Sequence, residues 1–206
     1  MKKKNLIVFG AGGHFTSCLD VIMSTKKYKI LFVIDKKNIT KKHGFKILNI
    51  RFNYKKLLKK CKNAFVAIGH IKNNTSRKKI INDLMKNGFN LPTIISPLAH
   101  VSKYAKIGQG NIIMHGSIIN AGSKIGQNNI INSKALIEHD VEIGDHCHIS
   151  TGAIINGNCK IGNDTFVGSR SVIKHGINIK NGCLIGMGAI IKNNINKSKI
   201  IKNWKK

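Results

Sequence analysis

A histidine between two acids, Glu138-His139-Asp140, is the sharpest chemical signal in this chain of 206 residues. An imidazole beside a carboxylate has its tautomer fixed and its basicity raised, as a general base requires. Asp140 is the expected orienting partner, with Glu138 second. The surroundings add weight. The chain holds 8 Asp+Glu against 36 Lys+Arg, and Glu138, Asp140, Glu142 and Asp145 supply half of the acids. The plain alternative is a solvated turn histidine. A second chemical pattern opens the chain. Gly10-Ala11-Gly12-Gly13-His14 follows an apolar run and precedes a helical one. Strand, glycine turn and helix is the arrangement in which backbone N–H groups face a phosphate. Asp35, at the end of the next apolar run, stands where an acid grips a ribose or sugar hydroxyl. Phe15 takes the place of the third glycine of G-x-G-x-x-G, which argues against NAD. A tight turn with no ligand is the alternative here.

The element that must position His139 is a repeat. Val or Ile stands at every sixth position from Val101 to Ile191, through Ile119, Ile137, Ile155 and Ile173, with no slip in register. A small residue usually follows four places later, and Gly often follows at once. Six residues make one short strand and a turn, and three such units close a triangular coil. The predicted fold is therefore a parallel β-helix of roughly five coils. The β-branched residue points inward. Eighteen residues separate stacked positions, so Ala121 and Gly157 lie below and above His139 and leave a concavity around it.

The same register removes other readings. Cys147, Cys159 and Cys183 fall on the small inward position, so packing explains them. His146-Cys147-His148 cannot converge on one ion with Cys147 turned inward, and no other spacing completes a tetrahedral site. No metal is expected, and Cys147 is not expected to act as a nucleophile. His148 lies half a coil from His139, so a common site needs the second histidine from a neighbouring subunit. This predicts a homo-oligomer with sites at its interfaces, a trimer being the simplest closed choice for triangular prisms. His43, His70, His100, His115 and His175 carry no readable signal.

Before the repeat, residues 4–9, 30–34, 64–68 and 91–95 read as strands. Residues 15–23, 54–60 and 75–86 read as helices, with Thr75 as a cap and Asn87-Gly88 as a stop. This predicts a small α/β, Rossmann-like unit with a parallel sheet over residues 1–92. Pro92 and Pro97 mark a junction, and the β-helix is expected over 98–195. A tail of 196–206 follows, in which Ile200 to Trp204 is expected to cap the open end.

The net charge of +28 alone suggests nucleic acid or an anionic membrane. Yet the lysines are scattered through every segment, and Arg occurs only at Arg51, Arg77 and Arg170. Joint over-use of Lys, Ile and Asn points to compositional drift, so no nucleic-acid partner is expected, although the charge would help attract anionic nucleotides. A non-catalytic basic binding protein is the alternative class. No stretch reads as a signal peptide or membrane span. Five cysteines without a framework suit a reducing cytoplasm.

The motifs Gly10-Ala11-Gly12-Gly13-His14, Ala67-Ile68-Gly69 and Asn132 through Ile137-Glu138-His139-Asp140, with Ile143-Gly144 and His148-Ile149-Ser150, together resemble the bacterial sugar O/N-acyltransferases. That family joins a Rossmann-like βαβ domain to a left-handed β-helix. It includes nucleotide-4-amino-sugar N-acetyltransferases, such as those of the UDP-diacetylbacillosamine pathway, and sialic-acid O-acetyltransferases. The resemblance covers residues 4–192 and supplies the left-handedness. It implies transfer of an acetyl group from acetyl-CoA to the amine of a nucleotide-linked 4-amino sugar, without metal, in a homotrimer. His139 matches the general base and Asp140 the acid that supports it. Asn132 matches a residue near the sugar. Gly12, Gly13, His14, Asp35, Lys36 and Gly69 match positions that hold the nucleotide sugar. His148, Ser169 and Met187 match positions lining an acetyl-CoA groove between subunits. O-acetylation of sialic acid or a surface glycan is the alternative within the family. Two features depart from its pattern: Asp140 stands where a Glu is usual, and the usual Gly-Asn-Pro-Ala-Lys tail is replaced by residues 199–206.

Overall fold

The computed structural model describes residues 2–36, 40–49 and 53–201. It divides into two compact units, residues 1–69 with 73–94, and residues 70–72 with 95–206.

The first unit contains β1 (Lys4–Phe9), α1 (Gly13–Ser24), β2 (Tyr28–Asp35), β3 (Lys41–Lys42), β4 (Phe45–Asn49), α2 (Tyr54–Lys60), β5 (Ala64–Val66) and α3 (Thr75–Lys86). The sheet order is β3-β4-β2-β1-β5, and every pairing is parallel except β3 with β4. The apolar run Leu6-Ile7-Val8-Phe9 is buried, as a central parallel strand must be. Three expectations need correction. The strand read over residues 91–95 is Ile94–Ile95 alone, and it is an edge strand of a β-helix sheet and not part of this one. The β3–β4 hairpin was not expected, because its strands are short and rich in lysine. Thr75 does not cap α3. It is the first helical residue, and its N–H donates to Asn73 Oδ1 at 2.7 Å.

One feature of this unit had no sequence signal. Arg77 in α3 is buried, and its guanidinium donates to the carbonyls of Val66 (2.6 Å) and Ile68 (2.9 Å). Burial pulls its pKa down to about 10, which leaves it charged at neutral pH. Arg77 thus ties α3 to the chain that leads into Gly69.

The second unit is the β-helix. Its two-residue strands pair in parallel with strands eighteen residues away, as Ile119 with Ile137 and Ile137 with Ile155. Three sheets of six, five and seven strands form its faces. The inward aliphatics stack into one column of core, with Ile131, Ile137, Ile149 and Ile155 all at 0% exposure. Left-handed backbone recurs once per corner, at Gly122 (φ 76°), Asp140 (57°), Asn158 (60°) and Gly176 (72°) on one of them. Asn, Asp and Gly tolerate that region best, which explains their use there. The six-residue repeat stops at Ile191, but the coil does not. Ile195 bridges Ile179, and Ile200–Ile201 pairs with Leu184–Ile185, so a further partial turn is built sixteen residues on. The two missing residues hid it from a strict six-residue reading. The cap expected at Trp204 lies outside the described residues.

The faces differ in what they turn outward. The first face presents His100, Ile118, Leu136, Ile154, Val172 and Ile190, with Ile118 38% and Ile190 65% exposed. The second presents Lys106, Lys124, Glu142, Lys160 and Asn178. On the third, Ile112, Ile130, His148 and Phe166 are buried. Ile149 packs in the middle of the shared core. Ile149→Ala is expected to cost about 3 kcal/mol, as a cavity in a solenoid core with no room to collapse. The denaturant midpoint of the variant against the parent measures it.

Candidate active site

His139 sits on the corner between the aliphatic and lysine faces, between strands Leu136–Ile137 and Glu142–Ile143. Its Nδ1 is 2.9 Å from Asp140 Oδ2. An ionised carboxylate can only accept, so Nδ1 carries the hydrogen of this contact. In the neutral ring Nε2 is then the basic nitrogen. The coil above explains where it points. A Cβ on Gly157 would lie 2.7 Å from both Nε2 and Cε1 of His139, so the ring leans into the space glycine leaves. Asp140 is placed by its left-handed turn, and its N–H donates to Ala121 O at 3.0 Å.

The acid cluster has structural uses besides. Glu138 accepts from Asn120 Nδ2 (3.1 Å), Glu142 pairs with Lys124 (2.9 Å), and Asp145 Oδ1 accepts from Gln127 N (2.7 Å). Lys124 and Lys160 hold the Glu142 carboxyl below its usual range. Of the four acids, Asp140 is the one on His139.

The opposite edge of the aliphatic face is the corner that carries Asn132, Ser169 and Met187. Asn132 Nδ2 is 3.2 Å from His148 Nε2, and His148 Nδ1 donates to His70 O at 2.8 Å. The His148 ring is buried, with Phe166 edge-on at 5.1 Å between centroids. Ser169 Oγ meets Ser150 Oγ at 2.9 Å, and Met187 is 61% exposed. One chain therefore brings His139 to Asp140 and Asn132 to His148, but holds the two groups on different edges of one face.

In the first unit the glycine turn is tightly held. Gly10 has φ +106°, and a Cβ there would meet Ile68 and Ala67 in the segment that follows β5, so glycine is needed for packing. At Gly12 and Gly13 a Cβ would meet nothing within 4 Å, which leaves the start of α1 open to approach. Asp35 Oδ2 accepts from Ala11 N at 2.6 Å. Gly69 lies against the His14 ring, while Lys36 is exposed. The hairpin adds two residues that sequence reasoning missed. Lys42 Nζ donates to Ala11 O (3.0 Å) and Gly12 O (2.7 Å), and His43 Nε2 is 2.9 Å from Thr16 Oγ1. Recognising the Lys41–Asn49 hairpin would have placed both.

Among the described residues no cluster of His, Cys, Asp or Glu could hold a metal ion, and no helix is long and apolar enough to cross a membrane. Burial pushes the Cys147 thiol up to about 12, so it is no nucleophile near neutral pH. A groove of about 930 Å³ runs up the lysine face along Gly108, Gly126, Gly144 and Gly162. It follows the edge away from His139 and holds none of these groups.

A prism of hexapeptide coils with a histidine–acid pair on one corner, preceded by a glycine-turn α/β unit, defines a class of acyltransferase scaffold. The chain belongs to the sugar acyltransferases that combine a PglD-type N-terminal domain with a left-handed β-helix. Residues 5–84 match the PglD N-terminal domain, 122–157 the bacterial transferase hexapeptide and 159–193 the hexapeptide repeat of succinyl-transferase. The acetyltransferase domain of PglB from Neisseria gonorrhoeae, solved with acetyl coenzyme A, is 30% identical, with TM-score 0.84 over 94% of this chain and 93% of that one. A histidine-to-asparagine mutant of perosamine N-acetyltransferase from Caulobacter crescentus, solved with CoA and GDP-perosamine, is 25% identical, with TM-score 0.88 over 95% and 93%. GDP-perosamine N-acetyltransferase of Escherichia coli is 29% identical over 146 residues, 68% of this chain and 64% of that enzyme's length.

Proposed function

We propose that the protein is an acetyl-CoA-dependent N-acetyltransferase acting on the amine of a nucleotide-linked 4-amino sugar, as a homotrimer with sites between subunits. The observation that carries the reading is the His139–Asp140 pair, with Nε2 of His139 presented over Gly157. In the reaction the amine nitrogen attacks the thioester carbon, forming the C–N bond. His139 Nε2 takes the amine proton, the C–S bond breaks, and the CoA thiolate leaves and takes up a proton. Proximity of the two substrates and one base suffice, with no covalent enzyme intermediate. Asp140 keeps the ring in the reactive tautomer.

Residues 1–92 serve the nucleotide sugar in this reading. Gly12, Gly13 and His14 face its phosphates, Asp35, Lys36 and Gly69 line the turn, and Lys42 adds a cation there. Residues 98–195 carry the transfer. Asn132 stands near the sugar, and His148, Ser169 and Met187 line the acetyl-CoA groove. The aliphatic face supports the trimer, because it separates the two edges that a shared site must join. Five buried, free cysteines suit a reducing compartment, which supports a cytoplasmic enzyme in this reading.

The test is thiol release from acetyl-CoA with GDP- and UDP-linked 4-amino sugars, with free sialic acid as a control. Turnover with an amino sugar is expected. Turnover with sialic acid alone would replace the reading by O-acetylation, and no turnover alongside salt-sensitive DNA binding would overturn it.

A further inference from the structure

His175 has the same place on the coil as His139, two coils higher. Gly157 is the residue between them, and it has no side chain. The two imidazoles therefore face one another across the gap, with ring centroids 6.2 Å apart and planes tilted by 48°. His139 is exposed, its side chain 55% open to solvent. An exposed side chain keeps its rotamer freedom unless neighbours remove it. Asp140 fixes one ring nitrogen but does not stop the ring from swinging on that contact. Gly157 bounds the ring on one side by backbone alone. His175 faces the ring across that glycine.

We propose that His175 is a positioning residue for His139: it closes the gap over Gly157 and holds the His139 ring so that Nε2 stays where the acceptor amine meets it. The inference rests on His139 being the base. Aromatic pairs at this separation gain modestly over their area alone, enough to bias a rotamer but not to build one. Near-attack geometry converts small displacements of a base into losses of rate. The ring's packing is the property at work, so another ring should substitute and a small polar group should not. Eighteen-residue arithmetic doubled, from 139 to 175, would have found the pair in the sequence.

The experiment compares the parent, His175→Ala, His175→Phe and His175→Asn with acetyl-CoA and the amino-sugar nucleotide the parent turns over fastest. His175→Ala and His175→Asn are expected to lower kcat by about fivefold, with KM for each substrate within about twofold and melting unchanged, while His175→Phe keeps at least half of the parental kcat. An unchanged kcat in His175→Ala overturns the proposal, as does a loss that Phe does not restore. The ring contact itself is read by NMR in the parent. Proton Overhauser contacts between the His139 and His175 rings are expected, and their absence overturns the proposal even if no acceptor is turned over. Failure of the reading of function shows separately, as a parent that acetylates none of the sugars while the ring contact is present.

Discussion

His139→Ala is expected to lower acetyl-CoA turnover by about 10²- to 10⁴-fold, the range a positioned general base supplies. The loss should fall on kcat, because the ring meets the proton in flight and not the bulk of either substrate. The fold should not notice. His139 is more than half exposed, its ring is held by a polar contact to its neighbour Asp140, and its removal opens no cavity. Equal melting of parent and variant, alongside the kinetic loss, separates catalysis from stability. Asp140→Asn should fall between the two, since an amide can still accept from Nδ1–H but carries no charge to stabilise the imidazolium. A variant at position 139 that retains most of its activity would remove the base from the mechanism and leave proximity as the only source of rate.

The β-helix was legible because its rule is local and repeated. Each inward Ile can be read without knowing any other, and eighteen-residue stacking then places Gly157 above His139. What escaped were features that break or leave the rule. The coil through Ile195 and Ile201 advances by sixteen residues and so looked like the end of the repeat. Lys42 and His43 reach the glycine turn from a hairpin whose strands, Lys41–Lys42 and Phe45–Asn49, are too short and too basic to show period-two patterning. Arg77 is a buried cation on a lysine-rich helix, and composition alone points such a residue outward. The acid cluster was legible as an anomaly, yet only one of its members faces the histidine. The others satisfy amide, backbone and lysine partners that appear once the coils are stacked.

Ile154→Lys is expected to separate the subunits and abolish activity together. Ile154 lies mid-way up the aliphatic face, between Leu136 and Val172, with its side chain turned out of the prism. A substitution there leaves the inward core of Ile137, Ile155 and Ile173 untouched, so each prism should remain folded. In a trimer of prisms meeting on this face, one lysine from each copy would be brought together and stripped of water. Like charges in a desolvated contact cost far more than they do in solvent, and a chain of net charge +28 offers few acids to offset them. Light scattering should move from about three chain masses to a single 22.8 kDa chain. Turnover should fall by about a hundredfold or more, because His139 stands on one edge of that face and Ser169 and Met187 on the other, and only a second copy can bring the edges together. Adding the variant in excess to His139→Ala protein, under conditions where subunits exchange, should restore none of the loss. A parent protein that turns over substrate as a single 22.8 kDa chain would sink the shared site outright, and would require His139 to work with groups on its own corner alone.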